Sequence, residues 1–108
     1  MPVDLGRYLT YLSERQEVIA SNIANADTPG YKTLDAEPPA DFSAALQEAR
    51  DGVVEVPGMT ARNDGNNVSI DRESRLLAEN DIRFNLTTQL LKSKIKMIRS
   101  AIEEGRSS

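Results

Sequence analysis

The chain has no cysteine, no histidine and no tryptophan, and only 5% of its 108 residues are aromatic. Without Cys or His there can be no disulfide, no Cys/His zinc site and no Ser-His-Asp or Cys-His triad. Any catalysis would rest on Asp, Glu, Lys and Arg alone. An excess of basic charge is also missing: 13 Lys and Arg stand against 17 Asp and Glu, a net charge of −4. That removes the electrostatic footprint of a nucleic-acid binder. No apolar run reaches the length of a membrane span or of a signal-peptide core. The expectation is a chain that crosses no membrane and is either cytosolic or exported without a cleaved leader. With so few aromatics, a compact core looks thin for this length.

The acidic residues do not assemble into a site on paper. Asp71 and Glu73 have the wrong helical spacing to share a face. Glu14, Glu17, Asp71, Glu73, Glu79, Asp81, Glu103 and Glu104 read as solvated faces and dipole partners. Asp27, Asp35 and Glu37 fall in loops with no defined site. The chain is therefore expected to be no enzyme and to take no cofactor, metal or small-molecule substrate.

What is present is periodicity at both ends. Leu5, Leu12, Ile19 and Ala26 recur every seven residues, with Leu9, Gln16 and Ile23 falling four residues after the first three. This alternation of four and three is a coiled-coil seam on a helix from about residue 3 to 25. Thr28-Pro29-Gly30-Tyr31 stops it. Pro29 disfavours helical backbone at Thr28 and lacks an N–H, and Gly30 suits the third position of a type II turn.

Residues 33–67 are broken by Glu37-Pro38-Pro39, Asp51-Gly52, Pro57-Gly58 and Asp64-Gly65-Asn66-Asn67. A short helix over about 39–50 and a short strand at Val53–Val56 can survive there. The rest reads as loop that orders only against a partner.

From residue 70 to about 104 a second helix is predicted, roughly 50 Å long at 1.5 Å per residue. Ser69 is its N-cap, and Asp71 and Glu73 favour the positive end of its dipole. Ile70, Leu77, Phe84, Leu91 and Ile98 recur at an interval of seven; Ser74, Asp81, Thr88, Ile95 and Ile102 follow each by four. A sustained seven-residue repeat implies left-handed supercoiling with a partner helix. A second apolar ribbon (Ile82, Leu86, Leu90, Met97 and Ala101) lies about 140° around the same helix. One face can pack on the first helix of the chain, leaving the other without a partner of sufficient length, which points to association. Gln16 and Thr88 interrupt the seams with polar side chains and are expected to set register.

The fold class is therefore all-α: N- and C-terminal helices (residues 1–32 and 68–108) pair as a coiled coil around a loop-rich middle (33–67), together forming one domain. Isolated in dilute solution, such a chain should be less helical than when assembled.

The segment from Ala20 to Lys32, with Asn22, Asn25, Thr28, Pro29, Gly30 and Tyr31, closely resembles the N-terminal signature of the bacterial flagellar axial proteins, the rod, hook and junction subunits. Gly65-Asn66-Asn67-Val68, Leu77 to Asn85 and Leu91 to Ile102 continue the similarity toward the short, proximal-rod members. Hook and distal-rod members carry larger central domains, for which this chain has no room. The resemblance covers about residues 3–32 and 64–104. It implies a structural subunit of the basal-body rod, exported through the flagellar type III channel without signal cleavage. Expected partners are neighbouring rod subunits and the rod adaptor at the membrane ring. Leu5, Leu12, Ile19, Ile23, Leu77, Phe84, Leu91, Ile95, Ile98, Ile82, Leu86, Leu90 and Met97 would be its packing residues. Phe42 and Leu46 resemble the Phe-x-x-x-aliphatic element that docks on the export gate, although the same pair four apart can simply stabilise a helix. A soluble helical adaptor or export chaperone is the alternative; a carboxylate enzyme is a more distant one.

Overall fold

Helix α1, Leu5–Ala24, is capped by the Asp4 side chain, whose Oδ1 accepts from the Arg7 N–H at 3.1 Å. The computed structural model describes residues 4–37 and 53–107. Helix α1 ends at the Asn25 cap, ahead of the Thr-Pro-Gly turn. Strand β1, Leu34–Ala36, follows and pairs antiparallel with β2, Val53–Glu55, in the register Leu34–Glu55, Asp35–Val54 and Ala36–Val53. A further bond from the Val56 N–H to the Thr33 carbonyl extends the ladder. The loop that follows leads to α2, Ile70–Ser107, with Ser69 Oγ accepting from the Arg72 N–H at 3.2 Å. The expected helix ends, turn, cap and short strand are thus where local chemistry puts them. The short helix expected over 39–50, and with it Phe42 and Leu46, lies outside the described residues.

α1 packs along α2, and β1 lies against α1. At 1.5 Å per residue α1 is about 30 Å long and α2 about 57 Å, so α2 overhangs its partner. The molecule is correspondingly elongated, 71 × 26 × 16 Å. The part of the middle segment running from Val53 to Ser69 is bonded to β1 and to the turn after α1, as described below.

The seam between the helices differs from the sequence expectation on one side. On α1 the centre is apolar, with Leu12 and Ile19 buried. On α2 the fully buried line is Glu73, Asn80 and Thr87. It has the expected seven-residue spacing but is polar and rotated from the Leu77–Phe84–Leu91 stripe. Leu77 and Leu91 are half-buried beside it, and Phe84 stays 38% exposed. Among the described residues, buried polar side chains outnumber buried apolar ones: Asn22, Thr33, Asn66, Asn67, Glu73, Asn80 and Thr87 against Leu12, Ile19, Ala36 and Val68. Hydrogen bonding therefore carries much of the specificity in this fold, because each buried polar group is costly unless paired.

Candidate functional site: a polar clasp and an open helix face

The signature segment builds the clasp. The Tyr31 N–H donates to the Thr28 carbonyl at 3.2 Å and Gly30 has φ of 76°, which is the type II turn. Thr28 Oγ1 donates to Asn25 Oδ1 at 3.0 Å, and Asn25 Nδ2 donates back to the Ser21 carbonyl at 2.8 Å. These bonds satisfy groups released at the helix end.

Asn22 is the hub. Its Nδ2 donates to the Leu34 carbonyl at 2.7 Å and its Oδ1 accepts from the Leu34 N–H at 3.1 Å. The side-chain amide thus pairs with the backbone of Leu34 as a neighbouring strand would. Oδ1 also accepts from the Tyr31 hydroxyl at 3.1 Å, and Nδ2 donates to Glu73 Oε1 at 2.6 Å. One side chain therefore ties α1, the turn, β1 and α2 together, and it is completely buried.

The loop before α2 binds from the other side. Asn66 Nδ2 donates to the carbonyls of Asn25 and Thr28, and its Oδ1 accepts from the Val68 N–H. Asn67 Oδ1 accepts from the N–H and the hydroxyl of Thr33 at 2.6 and 2.8 Å. The Gly30 N–H donates to the Asp64 carbonyl at 2.8 Å. Lys32 Nζ donates to the Gly65 carbonyl, and the Arg62 guanidinium donates to that of Ala26. Two tight turns meet here: Gly65 has φ of 86°, and a Cβ on it would lie 3.3 Å from the Gly30 Cα.

Charge completes the junction. Arg15 makes a bidentate contact with Asp35, 3.0 and 3.1 Å, and Arg72 lies 3.7 Å from the same carboxylate. The hydrogen bond to Asp35 raises the Arg15 pKa above its ordinary value, against the opposing effect of burial. Arg72 also donates to Glu73 Oε2 at 2.5 Å. Asp35 and Glu73 are thus not the loop and solvated acids expected from sequence. Glu73 is wholly buried, and its spacing of seven from Asn80 and Thr87 is the one sequence signal that could have shown it.

Farther along the seam, Asn80 Nδ2 donates to the Leu12 carbonyl and to Gln16 Oε1, both at 2.9 Å. Gln16 therefore faces a polar partner across the seam. Thr87 and Thr88 return their hydroxyls to the carbonyls of Arg83 and Phe84 on their own helix. Apart from Asn80 Oδ1, every buried side-chain polar atom among the described residues has a partner. The chemistry of this junction is that of a clasp, because its donors and acceptors already engage one another.

The second half of α2 is the opposite. Ile82, Leu86, Leu90 and Met97 point into solvent, Met97 with 71% of its surface exposed. Ile95, Ile98 and Ile102 on the seam side are also exposed, and Leu5, Leu91, Ile95 and Ile98 line an open groove where α1 begins. Ile23 is half-buried at the far end of α1. Of the expected packing residues, Leu12 and Ile19 are buried within the chain, whereas the α2 ribbon is covered by nothing among the described residues. No helix among the described residues is long and apolar enough to cross a membrane.

A sequence model of the family described as flagella basal body rod protein matches residues 9–32, which are most of α1 and the turn that Asn22 anchors. Similarity to the flagellar basal body rod protein FlgB of Escherichia coli K12 extends over nearly the whole chain: 30% identity, with 90% of this chain and 88% of the relative covered. The chain belongs to the FlgB family of flagellar basal body rod proteins. The FlgB of Aeromonas hydrophila is 33% identical over 88% of this chain and 86% of its own length. That of Borrelia hermsii is 32% identical over 95% and 96%. Since the coverage runs through both helices, the similarity includes the open face of α2 as well as the clasp.

Proposed function

We infer that the chain is a structural subunit of the flagellar basal body rod, contributing to flagellum-dependent motility by packing its helices with those of neighbouring subunits. Family membership supports this reading, and the observation that carries it physically is the uncovered ribbon Ile82–Leu86–Leu90–Met97 on a helix that outruns its intrachain partner. Burying one such Leu or Ile side chain contributes roughly 1.5–3 kcal/mol, so a few of them per contact suffice for assembly. The residues proposed to face other subunits are those four together with Leu5, Phe84, Leu91, Ile95 and Ile98. Leu12, Ile19, Ile23 and Leu77 would serve by holding α1 and α2 together.

The finer reading places the chain in the proximal rod, next to the rod adaptor at the membrane ring. It reaches that position through the type III export channel with its N-terminus uncleaved, and works without catalysis. The test is purification of hook–basal bodies from cells making a tagged chain, beside the double variant Leu86→Asp/Met97→Asp. The wild-type chain should co-purify with the rod, at its intact mass. The variant should still be secreted but be absent from the particles, and the cells should not swim. Incorporation of the variant at wild-type level would remove the ribbon from the interface.

A further inference from the structure

The exposed ribbon of α2 runs through a stretch of one charge sign. Residues 82–102 contain Arg83, Lys92, Lys94, Lys96 and Arg99 and no carboxylate; the chain as a whole carries −4, so the stretch holds +5 and the remainder −9. Glu79 and Asp81 stand before it and Glu103 and Glu104 after it, so the cationic segment is about 31 Å long. Lys92, Lys94, Lys96 and Arg99 are all exposed, and the ion pairs found among the described residues use none of them. The cations also have a definite place around the helix. At about 100° per residue, Ile82, Leu86, Leu90 and Met97 fall within an arc of about 80°, and Lys94 and Lys96 stand about 40° beyond its two edges. Glu73 and Asn80, which bond to α1, lie about 120–140° from the centre of that arc. Helix α1 therefore does not stand between the ribbon and a flat surface.

We propose that the second half of α2 binds an anionic membrane surface, lying among the headgroups with Leu86, Leu90 and Met97 dipped toward the acyl chains. The apolar arc supplies the burial. The lysines at its two edges reach the headgroups on stems that themselves lie along apolar surface. A bilayer answers both edges at once and has no register to match, which favours it over an acidic protein surface. The contact is peripheral, because no helix among the described residues is long and apolar enough to cross. The acidic remainder of the chain does not cancel it. Glu79 and Glu104, the carboxylates on the ribbon's side, lie about 12 Å or more along the axis from Lys94 and Lys96, and exposed charges are screened beyond about 8 Å at physiological ionic strength. Lipid and neighbouring subunits use the same leucines, so the two contacts exclude each other: a free chain is held at the membrane and gives that surface up as its ribbon is covered. The inference stands on the charge and exposure of this segment and goes beyond the rod-subunit reading.

Flotation of the purified full chain with vesicles tests it, using phosphatidylcholine alone and phosphatidylcholine mixed with phosphatidylglycerol. The chain should bind the mixed vesicles, leave them at high salt and ignore the neutral ones. Lys92→Glu/Lys94→Glu/Lys96→Glu should weaken binding about a hundredfold, since each cation near an anionic surface is worth about fivefold. Leu86→Asp/Met97→Asp should abolish binding, and Glu14→Gln/Glu17→Gln should leave it unchanged. Circular dichroism confirms that each variant keeps its helices. The absence of tryptophan allows a test of depth: the emission of Leu90→Trp should shift to the blue on mixed vesicles, and that of Glu17→Trp on exposed α1 surface should not. No binding, equal binding to neutral vesicles, unchanged binding of the reversed-charge chain, or a blue shift at Glu17→Trp would overturn the proposal. A wild-type chain that ignores both vesicles, with a reversed-charge chain that fails to enter basal bodies, would assign the cations to an acidic protein surface instead. Normal incorporation of a wild-type chain that ignores both vesicles would remove the lipid contact and leave the rod-subunit reading intact. A chain that binds the mixed vesicles but never enters basal bodies would remove that reading and leave the lipid contact.

Discussion

Residues 70–80 of α2 bury Glu73 and Asn80 completely, while residues 82–102 of the same helix leave Ile82, Leu86, Leu90, Met97 and Ile98 in solvent. The usual distribution is inverted at these positions: the two polar side chains are inside the molecule and the five apolar ones outside. Hydrogen bonds are directional and, once paired, saturated, so the clasped region specifies one conformation and has little left to offer another molecule. Apolar surface is non-directional and favourable to cover by any complementary surface. A subunit built this way fixes its own shape with polar groups and reserves its apolar surface for neighbours. Substitutions in the first region should therefore act on the fold, and those in the second on association.

The largest expected effect is at Asn22. Replacing it with Leu keeps the branching and heavy-atom count of the side chain but strands the Leu34 N–H and carbonyl and Oε1 of buried Glu73, and leaves the Tyr31 hydroxyl only its contact with Ser21 Oγ. Several unpaired buried groups, one of them charged, should cost about 3–4 kcal/mol. Urea denaturation followed by helical ellipticity should show it, and in a thin core that is enough to unfold much of the population at 37 °C. A loss below ~1 kcal/mol would mean that the clasp is dispensable and the comparison wrong.

The Asn22 result also marks what a sequence can disclose. Asp4, Ser69, Pro29 and Gly30 act on residues within four positions of themselves, so the helix ends and the turn follow from local chemistry. The expected pairing of the terminal helices rests on spacing alone and is what α1 and α2 do. The clasp is not readable in that way, because Asn22 meets Glu73 across 51 positions and Thr33 meets Asn67 across 34. A polar residue looks solvent-facing until its partner is known. The same reasoning accounts for the rotated seam: hydrophobicity selects Leu77, Phe84 and Leu91, whereas the cross-helix bonds of Asn80 to Leu12 and Gln16, and of Glu73 to Asn22, turn a polar line inward. The open ribbon was legible because an apolar side chain needs no particular partner to be recognised as apolar.

A middle-sized effect is expected where the two turns touch. Gly65→Ala places a Cβ 3.3 Å from the Gly30 Cα on backbone with φ of 86°. Left-handed backbone costs a non-glycine residue roughly 1–2 kcal/mol, and the contact adds to it. Gly58→Ala is the control that sharpens the reading. It shares a positive φ, 80°, but meets nothing within 4 Å. The difference between the two midpoints measures the packing of one turn on the other, separately from backbone conformation.

The smallest effect on the isolated chain belongs to the ribbon, and there the comparison is most exposed. Leu86 is more than half exposed and lies midway along α2, so Leu86→Gln removes no buried contact in the subunit and exchanges one good helix former for another. Its unfolding free energy from urea denaturation should stay within ~0.5 kcal/mol of wild type, the range of ordinary surface changes. If the clasp alone holds the fold, Leu86→Gln with Leu90→Gln should likewise leave the midpoint unmoved, while the assembled form loses the burial of two leucines at each contact. Should the double change instead destabilise the dilute monomer by as much as Asn22→Leu does, the ribbon would be covered within the subunit in solution. The division between a polar region that shapes the molecule and an apolar one that joins it to others would then fail.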